Sequence, residues 1–159
     1  MSITLRRGTI DVREPLSIIS GTPLRRTFPD TVVRPALISD LPACEALHLE
    51  IHGYARTGEL KGAIERKTAT VAERNGKISG YATLIGFFGH AIGQTNDDLK
   101  ALIAAAPEFA GPGFLLPSRN GALFRWCLEQ GLRVVQPMTL MSTGLYSKPA
   151  GKFLPSIIC

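Results

Sequence analysis

The stretch TATVAERNGKISGYATLIGFF restricts the fold more than any other part of the chain. Thr68, Thr70 and Ala72 alternate with Ala69, Val71 and Glu73, the period of two that a strand requires. Asn75-Gly76 follows, a residue pair suited to the positive φ angles of a type I′ turn. The returning strand is read from Ile78 through Tyr81 to Phe88, with Gly80, Gly86 and Gly89 as candidate bulges. A hairpin here commits the chain to antiparallel pairing.

Helix and strand alternate around it. TVVRPAL reads as a short strand. SDLPACEALHLEIHG reads as a helix with Ser39 as N-cap, Pro42 in the first turn and Gly53 at the end. Leu41, Cys44, Leu47 and Ile51 form its apolar stripe. A second short helix from Glu59 to Arg66 carries Leu60 and Ile64 on one face. Beyond the hairpin, the loop GHAIGQT feeds a helix with Leu99, Leu102, Ile103 and Ala106 on one stripe, stopped by Pro107. GPGFLLPS is a buried strand, and NGALFRWCLEQG is a helix closed by Gly131. LRVVQPMTLMSTGLY is a long last strand in which Pro137 marks a bulge or an edge.

From Thr31 the order is β-α-α-β-β-α-β-α-β. It predicts an α/β fold of the α+β type, a mixed, mostly antiparallel sheet with helices on both faces. Residues 1–30 read differently: a strand over TIDVREPLSIIS, then linker chemistry in GTPLRRTFPD. The boundary is placed near Asp30, giving an N-terminal strand and linker (1–30) and a domain (31–159). An unpartnered strand from Ile10 to Ile19 is an association hazard, so it is expected to pair within the sheet or with another copy.

Charge and cysteines exclude several classes. The net charge of +5 suits an anionic ligand such as a nucleotide cofactor. The basic residues are scattered, however, and the pairs Arg6-Arg7 and Arg25-Arg26 have no interleaved aromatics, so no nucleic-acid partner is expected. No segment approaches the ~20 apolar residues of a bilayer span, and MSITLRRGTIDVREPL has no apolar signal core. Cys44, Cys127 and Cys159 are an odd set without close spacing, which argues against a disulfide framework or a zinc site and for a cytoplasmic location. His48 and His52 share a helix face but have no third ligand at a recognisable spacing, so no metal site is expected.

Several segments resemble the GNAT N-acetyltransferase superfamily. VRPALISDLPAC is similar to the family's opening strand and first helix, and VAERNGKISGYATL to its central hairpin. RNGALFRWCLEQGLRV is similar to its late Asn-containing helix and the following Gly. The resemblance covers about Thr31 to Tyr146. GYATLIGFFGHAIG, GFLLPSRNGALFRWCLEQGLRVVQPMTLM and FLPSI resemble the second lobe of bacterial proteins with two GNAT lobes in tandem, and DVREPLSIISG resembles the strand closing the first lobe. The resemblance makes residues 1–30 the remnant of a preceding lobe. It implies acetyl-CoA as cofactor, a small-molecule amine as substrate, and a second lobe or a second copy as partner.

In that family the turn before the third helix is similar to Q/R-x-x-G-x-G/A, and it binds the cofactor pyrophosphate through backbone N–H groups and the helix dipole. The equivalent here is His90-Ala91-Ile92-Gly93-Gln94-Thr95, followed by Asn96-Asp97-Asp98. Gly93, Gln94 and Thr95 are the candidate cofactor contacts. Against that, Thr95 or Asn96 would cap the N–H groups, and Asp97 and Asp98 would repel a phosphate. Seven residues after Asn120, where many relatives carry a general-acid Tyr, stands Cys127, either a proton donor or core packing. His90 is a candidate general base or a hydrogen-bonded, half-buried histidine. Arg119 and Asn120 would cradle a carboxylate or phosphate, Asn120 being equally a plain N-cap. The expected function is an acetyl-CoA-dependent N-acetyltransferase-like domain, a degenerate or accessory lobe with weak or no catalysis of its own. The alternative is a small-ligand-binding or dimerisation module.

Overall fold

The computed structural model describes residues 12–142 and 149–157; the positions of Tyr146 and Cys159 lie outside them. Eight strands and four helices are present among the described residues. The strands are β1 (Val12–Ser20), β2 (Val32–Pro35), β3 (Thr70–Arg74), β4 (Lys77–Ala82), β5 (Ala91–Gly93), β6 (Phe114–Pro117), β7 (Arg133–Ser142) and β8 (Lys152–Leu154). The helices are α1 (Leu41–His52), α2 (Thr57–Glu65), α3 (Asn96–Ala105) and α4 (Gly121–Glu129). Two antiparallel sheets result, β2-β3-β4-β5-β8 and β6-β1-β7.

Strand alternation divides the core between the two faces of the larger sheet. Val71, Tyr81, Ile92 and Phe153 point toward α1 and α2, packing with Cys44, Leu47, Ile51, Leu60 and Ile64. Their chain neighbours Ala72, Ala82, Ala91 and Leu154 point the other way, toward Leu99, Leu102 and Ile103 of α3 and Leu123 and Cys127 of α4. Helices therefore cover both faces, as the sequence pattern requires.

Local signals explain most boundaries. Asn75 (φ 53°) and Gly76 (φ 72°) make the hairpin turn, and Gly53 ends α1 in the left-handed region (φ 78°). Ser39 is not the N-cap of α1. It lies in a 3₁₀ turn (Ile38–Asp40) that leads into the helix, where the Asp40 carboxylate accepts from the Leu37 N–H and from Arg34.

The strand expected to run to Phe88 stops at Ala82. The chain loops over residues 83–90 and returns as β5, a strand the sequence pattern does not show. The cause is tertiary. Gly86 bridges to Ala110, with the Phe87 N–H donating to the Ala110 carbonyl, while Gly89 lies so close to the Leu84 carbonyl that a Cβ would fall 2.3 Å from its oxygen.

Strand β1 pairs within the chain, between β6 and β7. Its register with β7 shifts at Ile18/Ile19, where Val135 is the extra residue, and Ile19 enters the same core as Leu116 and Leu123. Strand β7 is the outer strand of its sheet, which accommodates Pro137. Strand β8 bonds to β5 on one side and touches β6 on the other, closing the seam between the two sheets. No helix among the described residues is long and apolar enough to cross a membrane.

Candidate functional site

The start of α3 is built around one buried carboxylate. The register shift in the β3–β4 hairpin leaves Ser79 as the extra residue, and its carbonyl accepts from the Gln94 N–H. Thr95 is the N-cap of α3 and Asp98 its third residue. Asp98 Oδ2 accepts from the Thr95 N–H (2.9 Å) and the Thr95 hydroxyl (3.2 Å). Asp98 Oδ1 accepts from Ser79 Oγ (2.6 Å) and Arg74 Nη2 (2.9 Å). The residue is fully buried. Gly93 and Gly80 clear its space: a Cβ at either would stand 2.9 or 3.2 Å from Asp98 Cβ. Asp97 points outward beside Lys100.

Of the residues expected at a cofactor loop, Gly93 therefore ends β5, Gln94 turns the chain and Thr95 donates to a side chain of its own helix. Asn96 joins α3 to α4 through reciprocal amide bonds with Asn120 (2.9 and 3.1 Å). Asn120 also caps α4, its Oδ1 accepting from the Leu123 N–H. Arg119 lies 2.6 Å from Glu14 Oε1, but without hydrogen-bond alignment, since that buried oxygen has no hydrogen-bond partner. Arg119, Asn120, Lys152 and Phe153 line a pocket of about 240 Å³. Cys127 is wholly buried in the core between α3 and α4, where burial pushes its thiol up to about 12.

His90 belongs to a second cluster, on the α1–α2 side of the sheet. The chain's three histidines meet there. The His48 and His52 rings stack at 4.5 Å between centroids, and His48 meets His90 edge-on at 5.7 Å. His90 Nδ1 donates to Glu59 Oε1 (3.1 Å), which leaves Nε2 to accept from the Tyr81 hydroxyl (2.9 Å). Arg56 pairs with the other Glu59 oxygen at 2.5 Å. Tyr81 and His90 are 1% and 3% exposed, so the inner end of this chain of bonds is buried, while Glu59 and Arg56 at its outer end are partly exposed.

Burial pushes the Tyr81 phenol up, while the His90 hydrogen bond holds Glu59 below the usual carboxylate range. His48 Nδ1 donates to the Tyr54 carbonyl. The desolvation of burial lowers His48 and takes His52 to about 4. Among the described residues no group of three or more His, Cys, Asp or Glu is placed to hold a metal ion.

Sequence reasoning named His90, Arg119, Asn120 and Thr95, and read Asp98 as a charge that favours the helix start and repels a phosphate, not as a buried acceptor. The Thr95-x-x-Asp98 spacing is the signal for its inward turn. Glu59 and Tyr81 carry no comparable signal, because β4–β5 pairing brings Tyr81 to His90 and the packing of α2 brings Glu59 there.

The fold defined by these sheets and helices is GNAT-like. No family model and no curated protein matches the sequence. Among solved structures the chain is similar to a protein of Pyrococcus horikoshii, provisionally assigned as an acetyltransferase. That likeness has a TM-score of 0.60 at 11% identity, covering 91% of this chain and 50% of the other. The chain thus spans about half the length of that protein, and at this identity the likeness speaks for the fold alone.

Proposed function

We propose that this domain is an acetyltransferase-fold lobe that does not itself transfer acetyl groups, and that it serves as an accessory to a second lobe or a second copy. One observation carries the reading: the Asp98 carboxylate takes the Thr95 N–H at the start of α3, and its side chain fills the space beside Gly93. A cofactor pyrophosphate needs that N–H and that space, and it would meet a buried negative charge there. The residues present do not fit acetyl-CoA at this helix, so no chemical step is assigned to it. Cys127, at the position equivalent to a general acid, faces the core. His90 is engaged on both ring nitrogens.

The exposed outer strand β7 favours a partner-binding role. Val134, Val135 and Met141 are 39%, 49% and 54% exposed on it, and its outer edge is open to strand pairing among the described residues. The P. horikoshii protein, about twice as long, leaves room for a lobe of similar size.

The test is a thermal-shift titration with acetyl-CoA beside CoA. A ligand at ~100 times its Kd stabilises by about 2.7 kcal/mol, or roughly 5–10 °C for a domain of this size. No saturable shift is expected up to millimolar cofactor. A shift specific to acetyl-CoA would overturn the reading.

A further inference from the structure

Where the seam between the sheets meets the helix starts, two cations from different elements line one cavity of about 240 Å³. Pro117, Arg119 and Asn120 line it from the β6–α4 connection, and Pro149, Lys152 and Phe153 from β8 and its approach. Strand register puts Lys152 opposite Gly93, where β5 leads toward α3. The Asn96–Asn120 amide bonds draw the starts of α3 and α4 together at this end of the seam.

The two helix starts differ in charge. Asp97 and Asp98 stand in the first turn of α3. Helix α4 has no acidic residue in its first turn and is capped by the neutral Asn120 amide, so its positive end keeps its field. Arg119 is held from two directions. Its Nε lies against Glu14, and its guanidinium carbon lies 5.8 Å from the centre of the Phe153 ring. Glu14 is buried and is not one of the residues lining the cavity. It offsets part of the Arg119 charge and fixes where the guanidinium stands. Among the described residues neither Arg119 nor the Lys152 ammonium has a hydrogen-bond acceptor. The adjoining sequence TGLYSK (143–148) adds Lys148 and no carboxylate.

We propose that this cavity is an anion site, which takes the carboxylate or phosphate head of a small molecule on Arg119 and Lys152. The guanidinium is a planar fork of donors that matches two oxygens of either group, and the ammonium is a point charge. Helix α4 adds its positive end. The volume sets the size of the ligand. It lies below the ~300–1,000 Å³ of sites that enclose drug-sized ligands, while one water's share of liquid volume is ~30 Å³. Inorganic phosphate or a short-chain acid fits; a nucleotide does not. The site goes beyond the accessory reading and stands apart from it, because it uses α4 and β8 where that reading uses Asp98 of α3.

Amide NMR of the full chain tests the site, with inorganic phosphate and succinate titrated separately and sodium chloride at matched ionic strength as the reference. At least one of the two anions should give saturable shifts at Asn120–Ala122 and Gly151–Phe153, half-complete in the millimolar range. Saturation by phosphate alone assigns a phosphate-bearing ligand, by succinate alone a carboxylic acid, and by both the shared oxyanion chemistry. Lys152→Gln removes the charge of an exposed side chain, and Arg119→Lys keeps a cation beside Glu14 while removing the fork. Each should weaken binding about 10-fold, roughly the loss of one charge-assisted hydrogen bond. Shifts no larger than those in chloride would overturn the proposal, as would shifts centred on Thr95–Asp97 or binding unchanged in Lys152→Gln. Should Arg119→Lys not fold, Lys152→Gln decides alone. The acetyl-CoA thermal shift reads the α3 claim separately, so either reading can fall without the other.

Discussion

Replacing Asp98 tests the central feature of the α3 start. In Asp98→Ala, four donors lose one acceptor: the Thr95 N–H, the Thr95 and Ser79 hydroxyls, and Arg74. Loss of an N-cap interaction alone costs about 0.5–2 kcal/mol. Breaking a buried ion pair from one side costs about 3–5 kcal/mol, and Arg74 keeps 29% side-chain exposure, which favours the lower end. The contributions overlap, so the expected total is about 3–4 kcal/mol rather than their sum.

Asp98→Asn keeps the shape but turns an NH₂ toward donors, at about 1.5–3 kcal/mol. Equilibrium urea unfolding measures both. With a slope of about 2 kcal/mol per molar, the alanine variant should unfold at roughly 1.5–2 M lower urea. Ser79→Ala should cost less alone and couple to Asp98→Ala by at least ~0.5 kcal/mol in a double-mutant cycle. An alanine variant within about 1 kcal/mol of wild type, with an unchanged slope, would refute the claim that this carboxylate organises the helix start.

Three further outcomes follow from the same structure. Gly113→Ala should destabilise by at least about 2 kcal/mol in chemical denaturation, since φ is +136° and the new Cβ would lie 2.2 Å from the Ile19 carbonyl oxygen; a neutral result would contradict the β1–β6 packing. Asn120→Ala removes the α4 cap and the amide pair with Asn96, and should lower stability by about 1–2 kcal/mol by the same measurement. Global stability should also fall in acid. His48 and His52 are depressed in the folded state, so the unfolded chain binds more protons; the contribution is complete above about pH 6.5 and is lost as pH falls toward about 4. Melting temperatures across that window should drop in the wild type and drop less in His52→Gln.

Features set by neighbours in the chain were legible from sequence. The alternation around Asn75-Gly76, the stops at Gly53, Pro107 and Gly131, and the buried FLLP strand all rest on contacts within a few residues. What escaped was decided at a distance. Strands β5 and β8 have three residues each, too few to show a period. Nothing local to residues 83–90 says that Gly86 must meet Ala110. The candidate site divides the same way. Thr95 and Asn120 announce their caps, and His48 and His52 announce a shared face, whereas the arrival of His90, Glu59 and Tyr81 beside them depends on sheet pairing and on α2.

Asp98 has one further consequence, in terms of competition. A carboxylate three residues along the same helix is a ligand on a rigid tether, present at the helix start at an effective concentration above the ~mM of a floppy linker. A dissolved anion would have to displace a competitor that never diffuses away, so raising the anion's concentration is a weak lever against it. Occupancy of the Thr95 N–H is therefore set more by the identity of residue 98 than by the supply of an anion.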